Sequence, residues 1–208
     1  ISNVPSGVVY FGLIPMYFIG LYIVYNKDLI GPLVIGYLPY IYSALGIIIA
    51  MRAFVQRLKA IKAWMMIFLN NLFTSITIGL NEQFDFGQIH LFLSGIMISG
   101  IVGLIVLLQL KKSVPELTLN NFFGYQRIKP LHAFLFLLAS LGLMGFPITP
   151  SFIGEDLILG HIHENQYGLT AMIAISLIID GLAVFRMYAR IFLGPYKYSN
   201  HEVAFRSS

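Results

Sequence analysis

The chain has 208 residues, of which 58% are hydrophobic and only 11% charged, with mean hydropathy +0.81. A soluble domain carries about a quarter charged residues, so this composition excludes a soluble enzyme and marks an integral membrane protein. Cysteine is absent, which excludes disulfides, thiolate metal ligands and thiol nucleophiles. The net charge of +4 is not a nucleic-acid signature, because its distribution follows membrane topology.

A crossing needs about 20 apolar residues, and the sequence predicts six. The first runs from Gly7 to Tyr25, the second from Ile30 to Met51 and the third from about Lys62 to Leu80. The fourth runs from Gln88 to Leu110, an interrupted fifth from Leu131 to Gly160, and the sixth from Leu169 to Leu193. The fifth reads equally as one span ending near Phe146 plus a separate half-helix, which would change the parity of every later segment. No charged segment or small-residue cleavage site precedes the first apolar run, so it does not read as a signal peptide. With Ile1 at its start, the numbering is expected to begin inside a longer chain or after processing. The expected fold is an all-α polytopic helical bundle, one transmembrane domain over residues 1–208, with one discontinuous helix.

The basic residues test this layout. Arg52, Arg57, Lys59 and Lys62 lie between spans two and three; Lys111, Lys112, Arg127 and Lys129 lie between spans four and five; Arg186, Arg190, Lys197 and Arg206 lie at or beyond the end of span six. Only Lys27 falls on the other side, with Asp28, Glu82, Asp85 and Glu164. The positive-inside rule assigns the basic side to the cytoplasm. The loop Lys111–Lys129 is polar, and Pro115 and Gly124 argue against a long helix in it.

On span three, Lys59 and Lys62 are expected to share a helical face that continues through Met66, Asn70, Thr74 and Thr77. A polar stripe in a membrane helix turns toward protein or water. The plainer reading makes the lysines interfacial anchors, which suits Lys62 and leaves Lys59 open, and makes Asn70 and Thr74 interhelical hydrogen-bonding residues. On span four, Gly95, Ser99 and Gly103 form a face that admits a close neighbour. His90, near the outer edge, is a proton relay or, more simply, an interfacial residue.

The strongest signal is in span five. Gly142 and Gly145 loosen the helix, and Pro147 and Pro150 break it by removing backbone donors. Glu155 and Asp156 follow the break inside an apolar segment. A carboxyl at membrane depth costs a few kcal/mol by lenient scales and marks a functional position by default. Broken helices survive there only where protein or a water-filled cavity satisfies the freed backbone. Glu155 is expected to hold and release a proton. Asp156, about 100° away around a helix, is left to capping or pairing, a task Thr149 or Ser151 could also do. Span six carries Asp180 deep in an apolar run, a second pathway candidate or an ion-pair partner. Its Arg186 and Arg190 are anchors, although Arg186 could reach the carboxylates of span five. His161 and His163 are two apart with no third ligand, so no metal site is expected. No phosphate loop and no nucleophile with its base are present, and no catalytic residue or cofactor is expected.

From Gly124 onward the chain resembles the antiporter-like membrane subunits of respiratory complex I. That family extends to multisubunit cation/proton antiporters, membrane-bound hydrogenases and the membrane partner of inorganic-carbon accumulation complexes. The resemblance is carried by Phe-Phe-Gly-Tyr-Gln-Arg-Ile-Lys-Pro, then by Leu-Met-Gly-Phe-Pro-Ile-Thr-Pro-Ser-Phe-Ile-Gly-Glu-Asp-Leu-Ile-Leu. The ending Phe-Arg-Met-Tyr-Ala-Arg-Ile-Phe-Leu-Gly-Pro is similar to the family's later helix, and Ala53-Phe-Val-Gln56 more weakly to the segment before its central lysine helix. The resemblance implies the C-terminal half of a longer subunit, in a bacterial plasma membrane or organellar inner membrane. It places Glu155 at the family's ionisable position on a broken helix. The family's lysine on the helix matching span one falls near Met16, beside an unusual Pro15. Its histidine falls near Gly95, and its next lysine near Ala60, with Lys59 or Lys62 as approximate substitutes.

The function expected is a membrane subunit of an ion-coupled complex that conducts protons or exchanges them for a cation. Glu155 is the gate, with Lys59 and Asp180 as relay partners. The partners expected are other membrane subunits and the lipid bilayer, not nucleic acid. The alternatives are a non-conducting structural subunit and a transporter subunit for bicarbonate or another small anion.

Overall fold

The computed structural model describes residues 6–81, 86–113, 116–147, 149–153 and 166–195. Among them are six long helices: α1 (Ser6–Tyr25), α2 (Pro32–Val55), α3 (Ala60–Leu80), α4 (Phe86–Ser113), α5 (Pro130–Leu143) and α6 (Tyr167–Phe192). The described residues contain no strand. Among the described residues four helices are long and apolar enough to cross a membrane; α1 (from Gly12) and α5 supply shorter apolar helices. Five of the six helices match an expected span to within a few residues; α5 covers only the first part of the interrupted fifth span and stops at Leu143, well before Gly160, which lies outside the described residues. Proline sets two of the starts: Pro32 and Pro130 occupy the first helical turn, where the missing N–H would have no intrahelical partner.

The hub is α3. Its span is 83% buried, against 33% to 44% for the other three long spans. It packs on α1, α2, α4 and α6, while α2 also packs on α6 and α4 on α5. Trp64 anchors this hub: its indole N–H donates to the Gly100 carbonyl of α4 at 2.9 Å, and its ring lies 4.8 Å from that of Phe136 on α5. The outer helices turn apolar stripes outward, as with Ile175, Ile178, Leu182 and Phe185 on α6. A hydrocarbon environment covers such stripes without cost, whereas water would not.

Hydrogen bonds group the helix ends. At the basic end, a strap over residues 116–124 ties three helices together. Ala60 N–H donates to Leu117 O (3.1 Å), Leu119 N–H to Arg57 O (2.7 Å) and Phe123 N–H to Arg190 O (3.0 Å). At the opposite end, Lys27 Nζ donates to Asn81 O (3.4 Å) and Asn81 Nδ2 to Gln166 Oε1 (2.8 Å). The end of α3 and the start of α6 therefore share the end away from the strap. Helix α5 begins at the strap end, where Lys129 Nζ donates to Ser113 Oγ at 2.6 Å; residues 154–165, on which the choice between one interrupted crossing and a span plus a half-helix turns, lie outside the described residues.

Candidate functional site

The centre of the bundle holds a polar node. Asn70 and Asn71 of α3 are fully buried, and Ser176 and Asp180 of α6 are 2% exposed. Asn70 Nδ2 donates to Asp180 Oδ2 and to Ser176 Oγ, each at 2.7 Å. Asn71 Nδ2 donates to the same Asp180 oxygen at 3.3 Å and to the Ile67 carbonyl at 3.0 Å. Asp180 is the fourteenth of the 26 residues of α6, near the middle of its span. Among the described residues no lysine, arginine or histidine pairs with it. The second Asp180 oxygen, Oδ1, is buried without a protein donor, as are the acceptor oxygens of Asn70 and Asn71. The local reason for the assembly is spacing. Ser176 and Asp180 are one turn apart and face the same way. A glycine on α2 makes room: a Cβ on Gly46 would lie 2.7 Å from Asn70 Oδ1.

The helix break is built from glycine and hydroxyls as well as from proline. Helix α5 ends at Leu143; Gly145 follows with φ 61°, and Phe146 N–H closes back on Leu141 O at 3.0 Å. This is a Schellman-type stop, in which the left-handed residue favours glycine. Pro147 and Pro150 prevent resumption in register rather than ending the helix. The freed Gly142 carbonyl accepts from Ser151 Oγ at 2.5 Å, and Thr149 Oγ1 donates to Phe146 O at 2.7 Å. A short helical turn at residues 150–153 follows. Thus Thr149 and Ser151, the expected capping candidates, both serve the break, with their bonds directed back to α5 and the turn after it.

This segment packs directly on α4. A Cβ on Gly95 would lie 2.5 Å from Ser151 N, and Ser99 lies against Gly142. The small-residue face of α4 does admit a close neighbour, and Gly103 admits Trp64 of α3 beside it. The space a histidine at position 95 would need is filled by the chain after the break.

The other expected residues are dispersed. Glu155 and Asp156 lie outside the described residues, as do His161 and His163. Lys59 is not on the helix: it precedes α3 in extended conformation (φ −138°, ψ 102°) and is exposed. The shared face with Lys62 is therefore a correction; α3 begins one residue later, where Ala60 N–H bonds the strap. From there Asn70 is ten residues on, about 15 Å along the axis, so Lys59 does not reach Asp180. Lys62 is half-buried in the first turn of α3. Met66, Asn70, Thr74 and Thr77 are all buried, so the stripe turns to protein. Thr74 and Thr77, however, donate to their own helix, to Asn70 O and Phe73 O at 3.1 Å. His90 is exposed in the first turns of α4, lining a small groove with Tyr25 and Ser75. Arg186 reaches α2: Nη2 donates to Gln56 O at 3.2 Å, and its guanidinium stands 4.8 Å over the Phe54 ring. Met16 itself is half-buried, and its backbone carbonyl accepts from Tyr42 Oη at 3.0 Å. Sequence reasoning singled out Asp180 and Asn70 but missed Asn71 and Ser176; the one-turn spacing of Ser176 from Asp180 was the available signal.

A multi-pass bundle with an internally satisfied broken helix and a buried carboxyl on the next long helix defines an integral membrane protein of the transporter-like class. Residues 71–180 match the transmembrane family described as NADH:quinone oxidoreductase/Mrp antiporter. That is more than half of the chain, and the chain belongs to this family. The match begins at Asn71 and ends at Asp180, taking in both sides of the node. Two curated relatives are both named NADH-ubiquinone oxidoreductase chain 4. That of Dictyostelium discoideum is 37% identical over 65 residues, 31% of this chain and 12% of the relative. That of Dictyostelium citrinum is 40% identical over 63 residues, 30% of this chain and 15% of the relative. The matched stretches thus cover a small part of either relative's length.

Proposed function

We propose that this chain is part of an antiporter-like membrane subunit that carries protons across the bilayer within a larger NADH–quinone oxidoreductase-type assembly. Family membership supports the class, and the names of the two relatives support the assembly and its other membrane subunits. The observation that carries conduction is the Asp180 node. It is a carboxyl at mid-span, held by two amides, with no described cation beside it and with unused acceptor oxygens around it. An ionisable group kept at that depth is a functional position by default. Asp180 would hold and release a proton, Asn70 and Asn71 would fix its orientation, and Glu155 would serve as the second protonatable group near the break.

The test is proton flux in proteoliposomes holding the purified assembly, with wild type, Asp180→Asn and Glu155→Gln compared. The expected result is loss of flux by at least about tenfold, as for removal of a proton-transfer group, with assembly intact. Unchanged flux in Asp180→Asn would remove that carboxyl from the pathway.

A second reading, a structural subunit that keeps the fold without conduction, is favoured by one observation: the chain after the break fills the space beside Gly95, near which the family's histidine is expected. Absence of flux in wild type, given confirmed assembly and coupling substrate, would select it.

A further inference from the structure

Three arginines gather where α2 and α6 end, and the conduction reading uses none of them. Arg186 and Arg190 are one turn apart on the last turns of α6, and Arg57 follows the end of α2. Arg57 and Arg190 are near enough to repel the Arg186 guanidinium. Among the described residues no carboxylate pairs with any of the three; Glu116, in the strap, forms no ion pair with them. Each guanidinium has five N–H donors. Arg186 spends one on Gln56 O and Arg190 one on Asn120 O (3.4 Å), while Arg186 Nε is buried with no protein acceptor. The converging helix C-termini offset part of this charge, since each presents about half a negative charge. That is too little for three cations.

The surface below the arginines is apolar and unpartnered. Met51, Phe54 and Val55 on α2 and Leu182 and Phe185 on α6 are all exposed, Phe185 by 68%. The Arg186–Phe54 stacking and the Arg186–Gln56 bond join the two stripes into one seam running from the arginines toward the membrane centre. Fixed positive charge at the interface above a lipid-facing seam matches one molecule at both ends: a phosphate headgroup with acyl chains attached.

We propose that Arg57, Arg186 and Arg190 hold the phosphate of an anionic phospholipid whose acyl chains lie along the seam between α2 and α6. Arginine forks suit phosphate oxygens in a bidentate arrangement, and the seam gives the chains a fixed track. The lipid would brace the ends of two helices, one of which carries Asp180.

The test exchanges the purified assembly into mixed micelles containing equal phosphatidylglycerol and phosphatidylcholine, followed by native mass spectrometry of the retained lipid. Wild type is expected to retain phosphatidylglycerol preferentially. A juxtamembrane basic residue contributes about 1 kcal/mol, so each arginine removed is expected to lower retention about fivefold. Arg57→Gln changes an exposed side chain and spares the fold. Arg186→Gln with Arg190→Gln tests the fork, and Arg186→Lys is expected to restore retention only in part. Lys111→Gln with Lys112→Gln, on the same membrane side but on α4, is expected to leave retention unchanged. Equal retention of the two lipids, loss of both in parallel, or an equal effect of the α4 lysines would overturn the proposal. So would binding of soluble glycerol phosphate as strong as that of the lipid, which would show that the seam contributes nothing.

Discussion

Asn70 and Asp180 meet across the α3–α6 interface at 2.7 Å, both buried, and this bond ties the residue just before the family's matched segment to its last residue. Hydrogen bonds between membrane helices average about 0.6 kcal/mol and reach about 1.7. This one involves a carboxyl and a side chain that also bonds Ser176, so Asn70→Ala is expected near the upper figure. Asn70→Asp should cost more, because it sets a second carboxyl beside the first with no cation to share. Thermal unfolding of the purified assembly in detergent orders them: wild type, then Asn70→Ala, then Asn70→Asp. The reverse order for the two variants would mean that a cation resides at the node.

Asp180→Asn separates structure from proton carriage. The amide has the same shape as the carboxyl, and its oxygen can keep accepting from Asn70 Nδ2. Stability is expected to stay within about 1 kcal/mol of wild type, while proton flux falls. Asp180→Leu is the contrasting case. It removes the buried acid but leaves Asn70 and Asn71 donors without their acceptor, costing about 1–3 kcal/mol. The measurement pairs an unfolding midpoint with flux for each variant. A flux loss that tracks the stability loss, with Asp180→Asn unaffected in both, would assign Asp180 to structure alone.

The close approach of α2 to α3 gives a third prediction. A methyl at position 46 would stand 2.7 Å from Asn70 Oδ1, whereas a methyl at Gly36, on the same helix, would meet nothing within 4 Å. Gly46→Ala must displace the Asn70 amide and is expected to cost about 1–3 kcal/mol. Gly36→Ala should be neutral or slightly stabilising. The comparison is made by thermal midpoints of the two single variants. Equal midpoints would mean that α2 can move away from the node without loss.

Helices α2, α3, α4 and α6 were legible because about 20 consecutive apolar residues leave the backbone few alternatives in a bilayer. The side on which their ends lie was legible from the arginines and lysines. The break was legible at Pro147 and Pro150, yet the stop itself lies at Gly145, whose left-handed conformation only the fold requires. Lys59 was misread because periodicity extends a helix past its true start: Ala60 N–H bonds Leu117 in a strap fifty-seven residues away in sequence, a contact no local pattern encodes. The node was half visible. Asp180 stands out by its charge and Asn70 by the polar stripe, but their partnership spans 110 residues, and only tertiary packing brings them together.

Gly95→His places the family's expected residue type where this chain has none. The Cβ alone would lie 2.5 Å from Ser151 N and 3.0 Å from the Ser151 Cβ, so the imidazole has no room unless the segment after the break moves. That movement would pull Ser151 Oγ from the Gly142 carbonyl and expose a backbone acceptor that the break must satisfy. The variant is expected to lose more stability than Ser151→Ala, which removes only the hydroxyl and costs about 1 kcal/mol. Limited proteolysis of the purified assembly should cut faster near residues 145–153 in both variants, and faster in Gly95→His. If Gly95→His alone resists proteolysis as wild type does, α4 and the broken helix are not in the tight contact on which this prediction rests.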